Sequence, residues 1–328
     1  MGNGWRALRR KILTPDVSET SIEKRGFHRK SPAAQELLET VGKMFLTGYG
    51  YAMEARTVTD AENRLEELPI RFKGFAYEGA GMAYTMLDQI PMGRRGHIDE
   101  FLAGRGDKHN YMIYVGIGWA MARLPRFLWP KPESVDPLLR WLVLDGYGFH
   151  QAYFRTEQYV ANHHVDPYFP WPGDATGVGA YANNAIDQGI GRALWFVGGT
   201  DAATVANLID GYAPERHPDL WAGAGLAATY AGGGDPAELA MFADRAGQHR
   251  PLLAQGSAFA AEARIRADLL VPHIDGATQV LCGLDPVDAA QVCARTRPDR
   301  PDEGGVPAYE VWRNRIATEL VSIGGVST

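Results

Sequence analysis

The stretch YMIYVGIGWAMA, residues 111–122, is the most informative part of the sequence for the fold. Its apolar residues recur at the spacing i, i+3, i+4, i+7, i+8, i+11, which places them on one face of an α-helix. Gly116 and Gly118 lie in the middle of this stretch. Other segments also have helical periodicity, and no alternating strand pattern of any length is evident. The sequence therefore predicts an all-α protein.

Glycine-containing segments like this one recur along the chain. They are residues 78–81, 116–120, 145–148, 187–191, 223–227 and 256–260. Repeats spaced roughly 30 to 43 residues apart are typical of helical-hairpin arrays. A glycine inside a helix costs up to about 1 kcal/mol relative to alanine, so we expect close approach of neighbouring helices to compensate. A phosphate-binding glycine loop would need a preceding strand. The pattern favours helical-hairpin repeats that form a solenoid-like array or a compact orthogonal bundle.

Helix start signals and loop composition divide the chain further. Helices are predicted over 32–56, 58–68, 111–122, 136–155, 184–195 and 308–320, and Asp-Pro pairs at 235–236 and 285–286 open two more. Residues 156–180 and 297–307 have loop composition. A loop as long as the first one, inside a compact domain, is often a lid or a binding loop. We expect a single domain over residues 1–328, with a lid or insertion at 156–180.

Composition excludes several classes of protein. The chain has 328 residues and a net charge of −6, and it lacks a dominant basic block, which argues against nucleic-acid binding. No uncharged apolar run reaches the roughly 18 residues of a membrane helix, and no apolar signal core follows the basic cluster near the N-terminus. The two cysteines, Cys282 and Cys293, form no C-x-x-C motif. We therefore expect reduced thiols and a cytoplasmic protein.

The predicted helix over 136–155 carries the first candidate acid–base groups. It is apolar on nearly every face, which indicates burial, so Asp145 and His150 lie at least partly inside. A buried carboxylate needs a charge partner or hydrogen-bond donors, or its pKa rises. These residues are either an acid and a base in a cavity or structural contacts between helices.

A polar stripe on the predicted helix over 184–195 supplies the second group. Its members are Asn184, Asp187, Gln188, Gly191, Arg192 and Trp195. Gly191 leaves room for a ligand to approach the backbone beside Arg192. The stripe is either part of a site or polar packing between helices.

Glu78 occupies the position in the first repeat that Asp145 and Asp187 occupy in later ones. If the equivalent helices converge, the three acids share one cavity. If the array is extended, they form separate structural pairs with arginines. The candidate catalytic acids and bases are thus Glu78, Asp145, Asp187 and His150, with Arg192 stabilising an anion or orienting an acid.

Aromatic residues adjoin many of the repeat glycines, and they either pack in the core or line a pocket for an extended apolar ligand. The candidate substrate-binding residues are Trp195, Trp119, Tyr77, Gln188, His109 and Trp221. His163, His164 and Asp166 have metal-ligand chemistry but lack a matching third ligand nearby, so a metal site is not the favoured interpretation. No nicotinamide, flavin, haem or iron–sulfur motif is visible, and no cofactor is predicted.

Ten sequence blocks resemble one family when they are taken together. They are 8–10 (LRR), 25–27 (RGF), 74–80 (GFAYEGA), 109–112 (HNYM), 115–120 (VGIGWA), 145–150 (DGYGFH), 187–192 (DQGIGR), 220–223 (LWAG), 254–256 (AQG) and 307–313 (PAYEVWR). As a set they resemble the UnbL-type family, a family of unknown function found in actinobacterial enediyne biosynthetic cassettes. The resemblance covers nearly the whole chain. It implies a natural-product context, in which the protein helps to turn the linear product of a polyene-making polyketide synthase into the enediyne core, and it implies no established catalytic residue.

Three functions are consistent with these observations. The first is a cofactor-free enzyme that isomerises, cyclises or otherwise modifies an apolar polyene intermediate. The second is a non-catalytic helical-repeat scaffold that binds a carrier protein or a partner enzyme. The third is an unconventional isoprenoid (terpene) cyclase, for which the usual magnesium-binding aspartate clusters are missing from the sequence.

Overall fold

The computed structural model describes residues 14–90, 94–171, 181–299, 302–303 and 306–326, and this part of the chain is predominantly α-helical. Its α-helices are α1 (Ile22–Arg25), α2 (Pro32–Glu54), α3 (Val58–Glu66), α4 (Ile70–Asp88), α5 (His97–Ala103), α6 (Asn110–Arg123), α7 (Arg140–Phe154), α8 (Ala182–Val197), α9 (Ala202–Asp210), α10 (His217–Ala231), α11 (Pro236–Ala246), α12 (Arg250–Arg266), α13 (Pro272–Cys282), α14 (Pro286–Thr296) and α15 (Ala308–Ser322). Short 3₁₀ turns lie at Val17–Thr20, Arg105–His109, Arg126–Leu128, Pro132–Ser134, Pro214–Arg216 and Gly247–His249, and a π-helical turn lies at Glu157–Ala161. The predicted all-α class is confirmed.

Side-chain caps account for where several helices begin. The Ser31 hydroxyl accepts a hydrogen bond from a backbone N–H in the first turn of α2. Thr57 and Asp60 form a reciprocal capping box at α3, and Asp235 and Glu238 form another at α11. Each cap satisfies backbone N–H groups that have no partner inside the helix. The start signals in the sequence therefore mark real helix starts.

The helix predicted from residue 136 begins slightly later. The Asp136 carboxylate accepts hydrogen bonds from the N–H groups of Leu138 and Leu139, at 2.8 and 2.9 Å. These bonds hold a separate first turn, and the regular α7 helix begins at Arg140. The start predicted from Asp136-Pro137 correctly located the turn but not the first residue of the regular helix.

Seven helices that carry the repeat glycines pack side by side in sequence order. This glycine row consists of α2, α4, α6, α7, α8, α10 and α12. In α6, a Cβ on Gly116 would overlap the carbonyl oxygen of Glu78 in the preceding helix, and a Cβ on Gly118 would overlap that of Val143 in the following one. The other pairs that follow this rule are Gly79/Gly81, Gly146/Gly148, Gly189/Gly191 and Gly223/Gly225. Close backbone contact between neighbouring helices thus requires both glycines of each pair, as the sequence predicted.

The glycine row is curled. Phe75 on α4 packs edge-to-face against Tyr230 on α10, with ring centroids 5.1 Å apart. Arg264 on α12 donates hydrogen bonds to the carbonyl oxygens of Arg71 (3.0 Å) and Tyr230 (2.7 Å). These contacts join helices that are far apart in the row, so the structure is a compact bundle rather than an extended array. The curl turns side chains from separate repeats toward a common interior.

The remaining helices support this arrangement from outside the row. α9 packs on α11, and α11 packs on α13. The C-terminal helix α15 packs against α12 and α14. None of the described helices has both the length and the apolar character required to cross a membrane.

The two long predicted loops differ in how much of them the structure describes. Residues 156–171 pack on the segment after α6, where Trp171 Nε1 donates to the carbonyl oxygen of Pro130 at 2.8 Å and Arg126 pairs with Asp166 at 3.2 Å. Residues 172–180 of the predicted lid lie outside the described residues, and the lid stays a prediction. Within the predicted loop 297–307, two short antiparallel strands, β1 (Asp302–Glu303) and β2 (Val306–Pro307), are paired.

Candidate functional site

The first helices of the glycine row surround a cavity that is partly open to solvent, with about 680 Å³ of space including that at its opening. Aromatic side chains dominate its lining: Phe45, Phe75, Trp119, Phe149, Tyr153, Phe154 and Phe196. The charged or hydroxyl-bearing aliphatic side chains that also line it are Glu19, Thr20, Glu78, Arg123 and Arg192. A concave apolar space with a few polar groups is the usual form of a small-molecule site.

Glu78 on α4 presents a carboxyl group to this cavity and is only 3% exposed. The Trp119 indole N–H lies close enough to act as a weak donor that lowers the pKa of Glu78, although the contact lacks the geometry of a regular hydrogen bond. Burial raises the pKa of Glu78 to about 7; the Arg192 charge opposes this shift and the Asp145 charge adds to it. A carboxyl group with such a pKa can both donate and accept a proton near neutral pH.

Asp145 on α7 and Arg192 on α8 form a buried ion pair beside Glu78. The Gln188 amide donates to the other Asp145 oxygen at 2.7 Å and lies 2.9 Å from the Tyr309 hydroxyl of α15. Burial lowers the pKa of Arg192, but the Asp145 and Glu78 carboxylates more than offset this effect and raise it overall. The guanidinium is therefore permanently charged and firmly positioned.

The Arg192 guanidinium thus interacts with two carboxyl groups, those of Asp145 and Glu78. Asp145 holds it directly and has a second hydrogen bond from Gln188, whereas Glu78 interacts with it only through charge. Two ionised carboxylates beside one cation would leave an uncompensated buried charge, which is costly. Among these groups, Glu78 is accordingly the one that retains a proton.

A second apolar cavity, with an empty volume of about 470 Å³, adjoins the first at this ion pair. Arg192 lines both cavities, and Asp145 lines the second. The rest of its lining is contributed by α6, α7, α10, α12 and α15, including Tyr111, Tyr230 and Phe259. The buried charged groups therefore lie between two apolar compartments.

Asp187 lies away from both cavities. Its carboxylate forms two hydrogen bonds with Arg216, at 2.9 and 2.5 Å, and Arg216 also donates to the carbonyl oxygen of His163 at 2.8 Å. Burial raises the pKa of Asp187 to about 6 despite the charge and hydrogen bonds of Arg216. This cluster attaches residues 156–171 to α8. Because Asp187 lines neither cavity, the three acids of the repeats do not share one cavity.

Tyr77 and His109 form a separate buried pair. Their rings stack with centroids 3.6 Å apart, and the Tyr77 hydroxyl donates to Glu66 at 2.6 Å. Burial lowers the pKa of His109 to about 3, so this imidazole is neutral at physiological pH. The pair lines neither apolar cavity.

The other predicted site residues pack in the core. His150 lies edge-on to Trp119, at 5.5 Å between ring centroids, and burial lowers its pKa to about 3. Trp195 and Trp221 both pack against Phe242, at 5.6 and 4.9 Å between centroids. None of these three predicted residues lines either cavity. The structure thus brings together Glu78, Asp145, Gln188, Arg192 and Trp119 from the predicted set.

Two residues at this site were not among the predicted ones. Tyr309 lies in the last helix, and the only sequence signal for it was its place in the block PAYEVWR. Arg123 is the last residue of α6, where an arginine usually indicates favourable charge at a helix C-terminus. Neither position could be connected to Glu78 without the curl of the glycine row.

The histidines considered as metal ligands have other contacts. The His163 ring packs on Tyr212 with centroids 4.1 Å apart, and Asp166 accepts a hydrogen bond from Arg126. Within the described residues, no group of three or more His, Cys, Asp or Glu side chains is arranged to hold a metal ion.

Comparison with known proteins gives one match. No curated protein and no solved structure matches the sequence significantly. The model of a family described as "Protein of unknown function (DUF1702)" matches residues 4–320, which is nearly the whole chain. The chain therefore belongs to this family of proteins of unknown function.

Proposed function

We propose that the protein is an enzyme that moves protons on an elongated apolar substrate held in the first cavity. The observation that carries this proposal is Glu78, a buried carboxyl group in an aromatic cavity that forms no ion pair with a described residue and has the Trp119 indole N–H as its neighbouring donor. Structural carboxylates are normally paired or hydrogen-bonded when buried. Glu78 has only the weak Trp119 donor, so its carboxyl group is available to a ligand.

Glu78 would act as both acid and base. In its protonated form it delivers a proton to one carbon of a conjugated chain, and as a carboxylate it then removes a proton from another carbon. Atoms and electrons balance, because the net result is an isomer or a ring formed by a shift of double bonds. Aromatic faces such as those of Trp119 and Phe149 stabilise a cationic intermediate through their π systems. Arg192 and Asp145 keep the local charge fixed during this transfer.

We further propose a polyene polyketide intermediate of natural-product biosynthesis, such as an enediyne precursor, as the substrate. Two observations support this class. The blocks of sequence that resemble the UnbL-type family include the helices that carry Glu78, Asp145 and Arg192. The lining also suits a long conjugated molecule, because it is aromatic and contains few charged groups. Carrier proteins or other enzymes of the same cassette are the expected partners.

The test is product profiling in a host that co-expresses the polyene-making synthase and the neighbouring cassette genes. We would compare wild type, gene deletion, Glu78→Gln and Asp187→Asn, after confirming that both variants fold. Asp187→Asn is the matched control, because it also removes a buried carboxylate, but outside both cavities. We expect deletion and Glu78→Gln to accumulate the same intermediate, and Asp187→Asn to restore the product.

A non-catalytic carrier of a reactive polyene is the second candidate, and the apolar cavities inside the bundle favour it over a surface scaffold. The same experiment separates the two functions. If folded Glu78→Gln restores the product while deletion does not, Glu78 transfers no essential proton and the enzyme proposal is wrong. The carrier function would then account for the requirement for the protein.

A further inference from the structure

We propose that Arg123 binds an anionic group at one end of the ligand, so that the first cavity selects apolar chains that end in a carboxylate or a phosphate. This inference rests on the proposed function only in assuming that the first cavity holds the substrate. It adds the chemical nature of the substrate's polar end and the direction in which the substrate enters the cavity.

Arg123 lies where the cavity meets solvent. It is an exposed residue that lines the cavity, and the residues near it at this rim, Pro15, Leu46 and Phe154, are half-buried. Deeper lining residues such as Phe45 and Phe149 are buried. The cavity therefore has a mouth, and a guanidinium group is positioned at that mouth.

The Arg123 guanidinium has no ion pair or hydrogen bond with any other described residue. Glu19 is a carboxylate that also lines the cavity, and it is already paired with Lys24 and Arg25, each at 2.5 Å. Arg192, the other cavity arginine, is neutralised by Asp145. Among the described residues, Arg123 is thus the cavity-lining cation that no carboxylate neutralises, and it can pair with a ligand.

The spacing along the helices places the Arg123 guanidinium close enough to Glu78 for a short ligand chain to reach from one to the other. Trp119 precedes Arg123 by one helical turn, about 6 Å. On α7, Phe149 lies five residues, or about 7.5 Å, from the rim residue Phe154, and the Arg192 guanidinium is 5.2 Å from the Phe149 ring centroid. A chain anchored at Arg123 would pass these aromatic rings and reach the region of Glu78.

The residues at the deep end and at the mouth of the first cavity determine which end of the ligand enters first. An anion placed deep in the cavity would face Glu78 and an Arg192 guanidinium whose charge Asp145 already neutralises, and it would lose its hydration. At the mouth, the anion stays partly hydrated and gains charge-assisted hydrogen bonds from a guanidinium, which matches carboxylate and phosphate geometry. The anionic end therefore lies outside and the apolar chain inside.

The test uses a short conjugated tetraene with different head groups. Decatetraenoic acid, decatetraenyl phosphate, the methyl ester of the acid and the uncharged alcohol are titrated into the full-length protein by calorimetry, and quenching of tryptophan fluorescence is followed in parallel. The variants are Arg123→Gln, Arg56→Gln as an exposed arginine outside both cavities, and Glu78→Gln.

We expect wild type and Arg56→Gln to bind at least one of the two anionic tetraenes about tenfold more tightly than the ester and the alcohol, as one charge-assisted hydrogen-bond pair would provide. Arg123→Gln should lose this preference and keep its affinity for the alcohol. The tighter of the acid and the phosphate identifies the head group.

Equal affinity of wild type for all four compounds, an undiminished preference in Arg123→Gln, or no saturable binding of any tetraene would overturn the proposal. Glu78→Gln separates this inference from the proposed function. If Glu78→Gln restores product in the host and still binds the anionic tetraenes in the Arg123-dependent way, catalysis by Glu78 is refuted while head-group binding stands.

Discussion

Glu78, Asp145 and Arg192 show how residues that are unremarkable one by one acquire a function through their surroundings. Each is a common residue type, and a buried Asp–Arg pair by itself is weak evidence for a site. The arrangement becomes informative because the pair is complete without Glu78, which leaves that carboxyl group surplus inside an aromatic cavity. A surplus buried acid has a cost in stability, and this cost can be measured.

We predict that Glu78 makes the protein less stable as the pH rises from about 4.5 to about 7. Burial raises its pKa from 4.5 to about 7, so the native state keeps a proton that the unfolded chain releases in this range. The free energy of unfolding therefore falls through the range and levels off above pH 7. Glu78→Gln removes the effect. Urea denaturation should show the variant more stable than wild type by about 3 kcal/mol at pH 8 and equal to it at pH 4.5.

Glu66 provides the control with the opposite sign. Lys73 and Tyr77 donate hydrogen bonds to it, at 2.8 and 2.6 Å, and they lower its pKa overall although burial raises it. Glu66→Gln should therefore be less stable than wild type at pH 8. If Glu78→Gln is also destabilised at pH 8, Glu78 has a stabilising partner and its availability for proton transfer is refuted.

The position of Asp187 shows the limit of prediction from the residue pattern. The residue pattern assigns Asp187 and Arg192 to one polar stripe, but residues five apart on a helix point about 140° away from each other. Gln188 and Arg192 are four apart, share a face and both contact Asp145. Asp187 is turned toward Arg216. Strict use of the helical angle would have separated the two groups, whereas the identity of their partners could not be derived from spacing.

At the level of helices, the repeat glycines were the most reliable signal in the sequence. They predicted close contacts between helices, and each pair contacts the preceding and the following helix of the glycine row. The helix starts after Thr57 and Asp235 followed from start signals in the sequence, because capping depends on residues only a few positions apart. Local signals of this kind act within one or two turns, so sequence reveals them directly.

We predict that alanine has opposite effects at two helical glycines. Gly118→Ala would place a methyl group against the backbone oxygen of Val143, and α6 and α7 would have to separate, which should lower the free energy of unfolding by about 1–3 kcal/mol. Gly276→Ala in α13 meets open space and should stabilise the protein by about 0.5–1 kcal/mol, because alanine is the better helix former. Urea denaturation of both variants tests the prediction. A similar effect at the two positions would mean that the glycine row does not depend on close packing.

At the level of the whole molecule, the sequence could not choose between separate acids and acids that share a cavity. The choice depends on the curl of the glycine row, which long-range contacts such as those of Arg264 with Arg71 and Tyr230 maintain. These contacts join residues more than thirty positions apart, and they involve backbone oxygens that every residue has. No residue pattern in the sequence identifies which backbone oxygen a distant arginine will contact. The structure lies between these two alternatives, because Glu78 and Asp145 come close together whereas Asp187 lies elsewhere.

The C-terminal helix completes this arrangement through Arg313, which is 1% exposed. Its guanidinium contacts Asp219 of α10 at 2.6 Å and the hydroxyl of Tyr181 at 2.8 Å. Four residues earlier, Tyr309 contacts Gln188, which holds Asp145. The docking of α15 is therefore coupled to the candidate site as well as to the stability of the bundle.

We predict that Arg313→Met lowers the free energy of unfolding by about 3–5 kcal/mol, because it leaves the Asp219 carboxylate buried without its cation. Arg295→Met is the matched control: Arg295 also holds α15, through Glu319 at 3.0 Å, but both side chains are partly exposed, so its loss should cost less than about 1 kcal/mol. Adding Asp219→Asn to Arg313→Met removes the stranded charge and should recover much of the loss. Urea denaturation of the four variants, including Asp219→Asn alone, gives the coupling energy. If the double variant is as unstable as the sum of the single ones, the Arg313–Asp219 contact is not what fastens the C-terminal helix to the glycine row.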